Sequence, residues 1–360
     1  ITASHNPAEY NGMKVSRENA LPVGLDTGLG QIKEWIESGR ECVPAAVRGS
    51  VHQMDIKADY LEFLLKYKGD WSSLKIAMDV SNGMASLFVR DIFGDQPAYI
   101  YEEMDGRFPN HEPNPLVQKN VEDLKKLVAE TGADIGVIFD GDADRVMFVD
   151  ENSRFISPDL MIAVLGHYFL EERGEKGYIH QDIRSSKAVG EYLAPMGGVM
   201  NTWRVGRAYA ALKLREIDGV YGGELAGHYY FRDFFYSDSG LLAAILIINV
   251  VAKMKAQGVS LSQLIARIEK YQNSGEINFR LEDKKGAMDA VRDYFTASEQ
   301  STAYMDFDGY RVEFPDWWFN IRPSNTEPYL RFLCEATSQE LLEEKVAKVR
   351  EILTERFGAK

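Results

Sequence analysis

Residues 135–145 read Ile135-Gly136-Val137-Ile138-Phe139-Asp140-Gly141-Asp142-Ala143-Asp144-Arg145. The first five, mostly branched and apolar, predict a buried strand. A turn with aspartates at every second position follows, and residues 146–149 predict a strand on its far side. In an open α/β sheet, ligands sit beyond the carboxyl ends of the strands. Carboxylates crowded there can converge on one point, and an oxygen-only donor set suits a hard cation, Mg²⁺ first. Asp140, Asp142 and Asp144 are therefore the candidate metal ligands, with Arg145 facing an anion that the metal also touches. The competing pattern is an EF-hand loop, since Glu151 falls at its twelfth position. Arg145 stands where that loop needs Gly, and its flanks would be helices instead of strands.

Outward from this stretch, strands and helices alternate. Strands are predicted at 74–80, 97–101, 177–180, 198–202 and 219–221, and helices at 85–92, 121–131, 159–172, 185–193, 206–216 and 239–256. Such alternation implies mainly parallel sheets with right-handed crossovers. The units near 56–155 and 156–270 look alike enough to suggest duplication. Upstream, 26–38 is an amphipathic helix, 40–50 a linker and 59–66 a second helix. After Gln272-Asn273-Ser274-Gly275 the pattern changes to strands at 276–281, 310–314, 317–321 and 329–335, with helices at 286–295 and 338–357. That is a C-terminal α+β domain.

The 360 residues are too many for one ordinary core. A net charge of -14 with no Lys/Arg-rich block argues against nucleic acid or an anionic membrane as partner. The apolar run 241–251 is too short to span a bilayer and predicts a buried helix. Cys42 and Cys334 have no metal-type spacing, which fits a reducing cytoplasm. Ile1 runs directly into a motif, from which we expect the natural N-terminus to lie upstream.

Three further segments carry chemistry. In Thr2-Ala3-Ser4-His5-Asn6-Pro7, Pro7 holds Asn6 out of the helical region, so Ser4 lies on a shaped loop. A serine hydroxyl needs activation or prior phosphorylation to react. In Gly222-Gly223-Glu224-Leu225-Ala226-Gly227-His228, glycines allow close backbone approach to a ligand. There Glu224 can accept from sugar hydroxyls while His228 donates. Arg322-Pro323-Ser324-Asn325-Thr326-Glu327-Pro328 offers a guanidinium, hydroxyls and loop N–H groups suited to a phosphate.

Together, in this order and spacing, the four segments resemble the α-D-phosphohexomutase family, most closely its bacterial phosphomannomutase/phosphoglucomutase branch. The resemblance implies related α/β domains with mixed or parallel sheets, followed by a TATA-binding-protein-like α+β domain. The expected boundaries are 1–50 (the remnant of a first domain, lacking its N-terminal part), 51–155, 156–272 and 273–360. It implies a phosphoryl relay: Ser4 carries the phosphate, and Asp140, Asp142, Asp144 and Ser4 hold Mg²⁺. A hexose 1,6-bisphosphate is the intermediate and activator. His5, Lys14 and Arg145 would surround the transferred phosphate, with Lys14 favoured for proton handling. Glu224, His228, Arg184 and Arg207 would meet the substrate, and Arg322, Ser324, Asn325 and Thr326 the non-reacting phosphate. Two positions depart from the family pattern: Ala226 replaces a usual Ser, and Arg207 a usual His. The partner is then a small phosphosugar, mannose or glucose, and the chain a monomer or weak homo-oligomer. The alternatives are a phosphoglucosamine mutase, an inactive phosphosugar-binding fragment, and a hydrolase that releases phosphate to water.

Overall fold

Residues 1–56 form loops around one short helix, α1 (Leu29–Glu37), and none of the residues of α1 is buried. A second helix, α2 (Lys57–Leu65), leads into the first sheet. The computed structural model describes residues 1–324 and 328–360.

The first sheet contains β1 (Ile76–Asp79), β2 (Ala98–Ile100), β3 (Ile135–Phe139), β4 (Val146–Asp150) and β5 (Phe155–Ile156), in the order β2-β1-β3-β4-β5. β1, β2 and β3 run parallel, while β4 and β5 are antiparallel additions. Every residue of β3 and β4 is buried, as continuous apolar runs demand. The crossovers carry α3 (Val89–Phe93) and α4 (Glu122–Thr131). α4 turns Leu124 and Val128 inward and stops at Gly132, which takes the left-handed conformation.

α5 (Leu160–Gly166) opens the second unit. The predicted helix over 159–172 is interrupted: His167–Glu172 widens into a π turn, where His167 bonds both Glu171 and Tyr192. The second sheet holds β6 (Gly177–Asp182), β7 (Gly198–Trp203), β8 (Tyr221–Gly223), β9 (Tyr229–Phe231) and β10 (Ser237–Asp238). Its crossover helices are α6 (Lys187–Leu193) and α7 (Arg207–Glu216). Its order, β7-β6-β8-β9-β10, repeats the first sheet strand for strand, including the antiparallel final pair. α8 (Gly240–Ala256) is the predicted buried helix. It packs on β3 and β4 as well as on α5, so one apolar core runs from Leu64 to Ile268 beneath both sheets. Among the described residues no single helix is long and apolar enough to cross a membrane. Helix α9 (Leu261–Ile268) was not foreseen, although Ser260 and Gln263 form a capping box at its start.

The third sheet is antiparallel and has its own core. It comprises β11 (Gln272–Asn273), β12 (Ile277–Arg280), β13 (Ala303–Met305), β14 (Tyr310–Glu313), β15 (Trp317–Pro323) and β16 (Tyr329–Ala336). Its order is β11-β16-β15-β14-β13, with β12 also on β16, and α10 (Lys284–Ser298) and α11 (Gln339–Phe357) pack against it. The seam with the second unit is polar. Arg311 donates to the carbonyls of Ile183 and Ser185 at 2.9 and 2.6 Å, and Glu335 accepts from Ser186 Oγ at 2.7 Å. Burial, with Asp159 nearby, pushes the Glu335 carboxyl up to about 7.

Candidate active site

The β3–β4 turn places three carboxylates together. Asp140, Asp142 and Asp144 each bring an oxygen within 4.8 Å of the others. Asp140 is fully buried, and its amide neighbour Arg145 donates N–H to Asp140 Oδ1 at 3.1 Å. One buried oxygen of each residue (Asp140 Oδ2, Asp142 Oδ1, Asp144 Oδ1) has no hydrogen-bond partner among the described residues. Burial first, then the charges of Asp144 and Asp142, raise the Asp140 carboxyl well above the ordinary range. Orphaned oxygens on adjacent carboxylates are costly in a bare protein, and a hard divalent cation would satisfy all three at once. The residues fit such an ion.

The serine loop lies directly on this turn. A Cβ on Gly141 would stand 2.7 Å from the Ser4 carbonyl oxygen, so only glycine allows the two loops to touch. Thr2 Oγ1 donates to Asp142 Oδ2 at 2.8 Å and accepts from Ser4 N–H at 2.8 Å. Ser4 itself sits at φ 58, a region that a non-glycine residue occupies only when its surroundings enforce it. Its Oγ is 3.2 Å from His5 Nδ1. Burial and the charge of Arg145 lower the His5 imidazole to about 4, so it is neutral near pH 7. Lys14 Nζ binds Asp142 Oδ2 at 2.6 Å and also bonds Asp144. Burial works against its charge, but the two carboxylates win and raise its pKa.

The β8–β9 turn meets the β3–β4 turn end to end. Arg145 and His228 form an isolated bridge, and Val146 N–H donates to the Gly227 carbonyl at 3.1 Å. Arg145 Nε donates to His228 Nε2 at 2.9 Å, and His228 Nδ1 lies 2.8 Å from Asp238 Oδ2. Both ring nitrogens are thus engaged within the protein, whereas the sequence suggested a donor turned to a ligand. Arg207, expected at the substrate, has its Nε on Asp238 Oδ1 at 2.7 Å. Asp144, His228 and Asp238 also have ligand atoms within 4.8 Å, but the short His228–Asp238 contact reads as a hydrogen bond. Glu224 is buried and accepts from Tyr230 OH at 3.0 Å and Gly206 N–H at 3.3 Å. Burial raises its carboxyl.

Behind Glu224 stand two buried arginines. Arg184 pairs with Asp182 through two contacts, 3.1 and 2.8 Å, and Asp182 Oδ2 also accepts Leu225 N–H at 2.8 Å. Arg322 is 4% exposed, and its Nε and Nη1 have no hydrogen-bond partner among the described residues. Burial and the neighbouring Arg184 charge lower its pKa. The nearest carboxylate oxygen, Asp308 Oδ1, is 3.7 Å from Arg322 Nη1, and two like charges that act on each other, one of them short of acceptors, suit a dianion. Ser324 follows Arg322 at the end of β15, while Asn325 and Thr326 lie outside the described residues. A cavity of about 660 Å³ is lined by Ser4, Asp142, Tyr10, Phe88, Met104 and Phe108 but by none of these arginines.

The sequence did not flag Thr2, Asp182, Tyr230 or Asp238. Asp182 had a visible signal, an acid ending a strand just before a basic residue. The others become legible only when separate turns are brought together.

Comparison with known proteins follows the same division. Residues 58–153, 157–271 and 276–352 match phosphoglucomutase/phosphomannomutase alpha/beta/alpha domain II, alpha/beta/alpha domain III and the C-terminal domain. Residues 1–41 match alpha/beta/alpha domain I. A protein of Xanthomonas campestris pv. campestris (strain B100) described as phosphohexose mutases is 37% identical, covering 98% of this chain and 79% of its own length. A phosphomannomutase of Salmonella montevideo is also 37% identical, covering 98% and 78%. The crystal structure of a phosphoglucomutase/phosphomannomutase family protein from Burkholderia thailandensis superposes with a TM-score of 0.83 at 28% identity, covering 98% of this chain and 75% of that one. Sequence motifs, repeated sheet topology and similarity over 98% of this chain converge: the chain belongs to the phosphoglucomutase/phosphomannomutase family.

Proposed function

We propose that this chain interconverts hexose 1- and 6-phosphates, mannose and glucose among them, through a phosphoryl group carried on Ser4. The observation that carries the reading is the packing of the strained Ser4 loop on a turn with three orphaned carboxylate oxygens. From there a line of hydrogen bonds runs through Arg145, His228, Glu224, the Leu225 N–H and Asp182 to Arg184, whose charge acts on the buried Arg322. A divalent cation, Mg²⁺ by the donor set, would be held by Asp140, Asp142 and Asp144 and would neutralise charge on the phosphoryl group at Ser4.

The chain's own residues supply the rest. Arg184 and Arg322 hold the phosphate that does not react, and Glu224 accepts from sugar hydroxyls. The phosphoryl group passes from Ser4 Oγ to the free sugar hydroxyl, breaking one P–O bond and making another, and gives a hexose 1,6-bisphosphate. The bisphosphate reverses its ends in the cleft and returns its other phosphoryl group to Ser4. Neutral His5 can accept a hydroxyl proton beside Ser4, and charged Lys14 can donate one. Catalysis is then mostly positioning and charge neutralisation.

The test is direct. The protein is incubated with mannose 1-phosphate, Mg²⁺ and a trace of hexose 1,6-bisphosphate, and the 6-phosphate is measured. Ser4→Ala is expected to lower turnover by about 10³-fold or more, and mass spectrometry of the unaltered chain to find a phosphoryl group on the Ser4 peptide. Full turnover in Ser4→Ala overturns the relay.

A further inference from the structure

Two guanidinium groups are tied to one histidine–aspartate pair where the first two sheets join, and each is gripped by its Nε. Arg145 donates from Nε to His228 Nε2 at 2.9 Å, and Arg207 donates from Nε to Asp238 Oδ1 at 2.7 Å. No hydrogen bond runs from the terminal nitrogens of either arginine to a described residue, although both side chains are largely enclosed, 12% and 26% exposed. Asp238, 6% exposed, completes the arrangement through Oδ2, 2.8 Å from His228 Nδ1.

Donor and acceptor rules fix the hydrogens. An arginine Nε always bears one and has no lone pair to offer. His228 Nε2 must therefore accept, its ring hydrogen belongs on Nδ1, and Asp238 Oδ2 receives it. Asp238 thus holds Arg207 directly, and holds Arg145 by imposing the histidine tautomer that can accept from it.

We propose that Asp238 is the positioning residue of a two-arginine clamp, Arg145 and Arg207, whose terminal N–H groups grip the oxygens of the phosphoryl group in transfer. The proposal deepens the phosphoryl-transfer reading above and rests on it. Asp238 touches no substrate. Its carboxylate is needed because both of its partners are donors. An asparagine there has one acceptor oxygen, and its NH₂ would face the second donor. The histidine escapes that conflict only by moving its hydrogen to Nε2, which places N–H against N–H at Arg145.

The experiment combines ¹⁵N-detected histidine spectra with kinetics, both at saturating Mg²⁺, using His228→Gln to assign the resonance. Expected are an Nδ1–H His228 in the unaltered protein and a shift toward Nε2–H in Asp238→Asn. In the same variant kcat is expected to fall about 100-fold, with KM for mannose 1-phosphate changed by less than about threefold. Arg207→Lys, which loses the Nε contact but keeps the charge, is expected to lower kcat without moving the tautomer. An Nε2–H or metal-bound Nδ1 in the unaltered protein overturns the proposal, and that spectrum needs no variant to fold. A kcat within about threefold of the unaltered protein in Asp238→Asn or in Arg207→Lys also overturns it. If the unaltered protein shows the expected tautomer but interconverts no hexose phosphate, the mutase reading fails and the clamp has no reaction to serve.

Discussion

The β3–β4 and β8–β9 turns occupy the same place in two sheets of identical topology, yet one gathers three carboxylates and the other a carboxylate and an imidazole. The fold supplies the position, and the residues decide what is held there. The turns are also physically continuous, since Arg145 at the end of one bonds His228 at the end of the other. A second matched pair makes the same point. Asp79 ends β1 and Asp182 ends β6, and each accepts the N–H two residues on, from Ser81 at 2.8 Å and Arg184 at 2.7 Å. Asp79 then faces His111 at 3.1 Å, whereas Asp182 faces the Arg184 guanidinium. Burial raises the Asp79 carboxyl despite His111. At Asp182 burial is outweighed by the charge and hydrogen bonds of Arg184, and its carboxyl is lowered.

The largest contrast is expected at the acidic turn. Asp140→Asn should cut mutase turnover by about 10²–10³-fold and yet raise the melting temperature of the Mg²⁺-free protein, because a buried charge among like charges disappears. Added Mg²⁺ should stabilise the unaltered chain and not the variant. A variant less stable than its parent without Mg²⁺ would remove the argument from orphaned oxygens.

Next come the strand-end aspartates, compared by urea unfolding. Asp182→Asn leaves Arg184 unpaired beside Arg322 and should cost about 3–5 kcal/mol, while Asp79→Asn should change stability by less than about 1 kcal/mol at pH 7. Their pH signs are opposite. Stability linked to Asp182 is present above the ordinary carboxylate range and lost as pH falls through its lowered value. Stability linked to Asp79 is complete below that range and lost as pH rises through its raised value. Equal costs, or one shared pH trend, would break the contrast.

Glu224→Gln should lower kcat/KM by about 10–100-fold and change the ratio of mannose to glucose activity, because the proposed reading sets Glu224 against the sugar hydroxyls. An unchanged ratio would move specificity elsewhere. A modest effect on stability alone is expected at Gly227, which has φ 85 and where an added Cβ would stand 2.7 Å from Met147 Cε. Gly227→Ala should cost about 1–2 kcal/mol in thermal unfolding.

Much of this was written locally in the chain. The runs around Ile138 and Ile245 predicted a buried strand and a buried helix, because burial on all sides leaves no polar residues to interrupt the pattern. The two-residue strands β5, β10 and β11 were invisible, since so short a stretch has no periodicity to read. The site divides in the same way. The aspartate turn announced itself because its carboxylates are two residues apart. Asp238 did not, because its importance comes from Arg207 and His228, which reach it from other elements.

The two kinds of joint in this molecule fail differently. Separating the first two sheets would strip α8 of its packing and expose oil to water, so the acidic turn and the Glu224 turn should melt as one block in a calorimeter. The C-terminal sheet is fastened by Arg311 to two carbonyls and by Glu335 to Ser186, bonds that water can replace nearly one for one. The arginine Arg322 therefore rides on a part of the molecule that can loosen more cheaply than the two joined sheets, like a latch hung on a wet hinge.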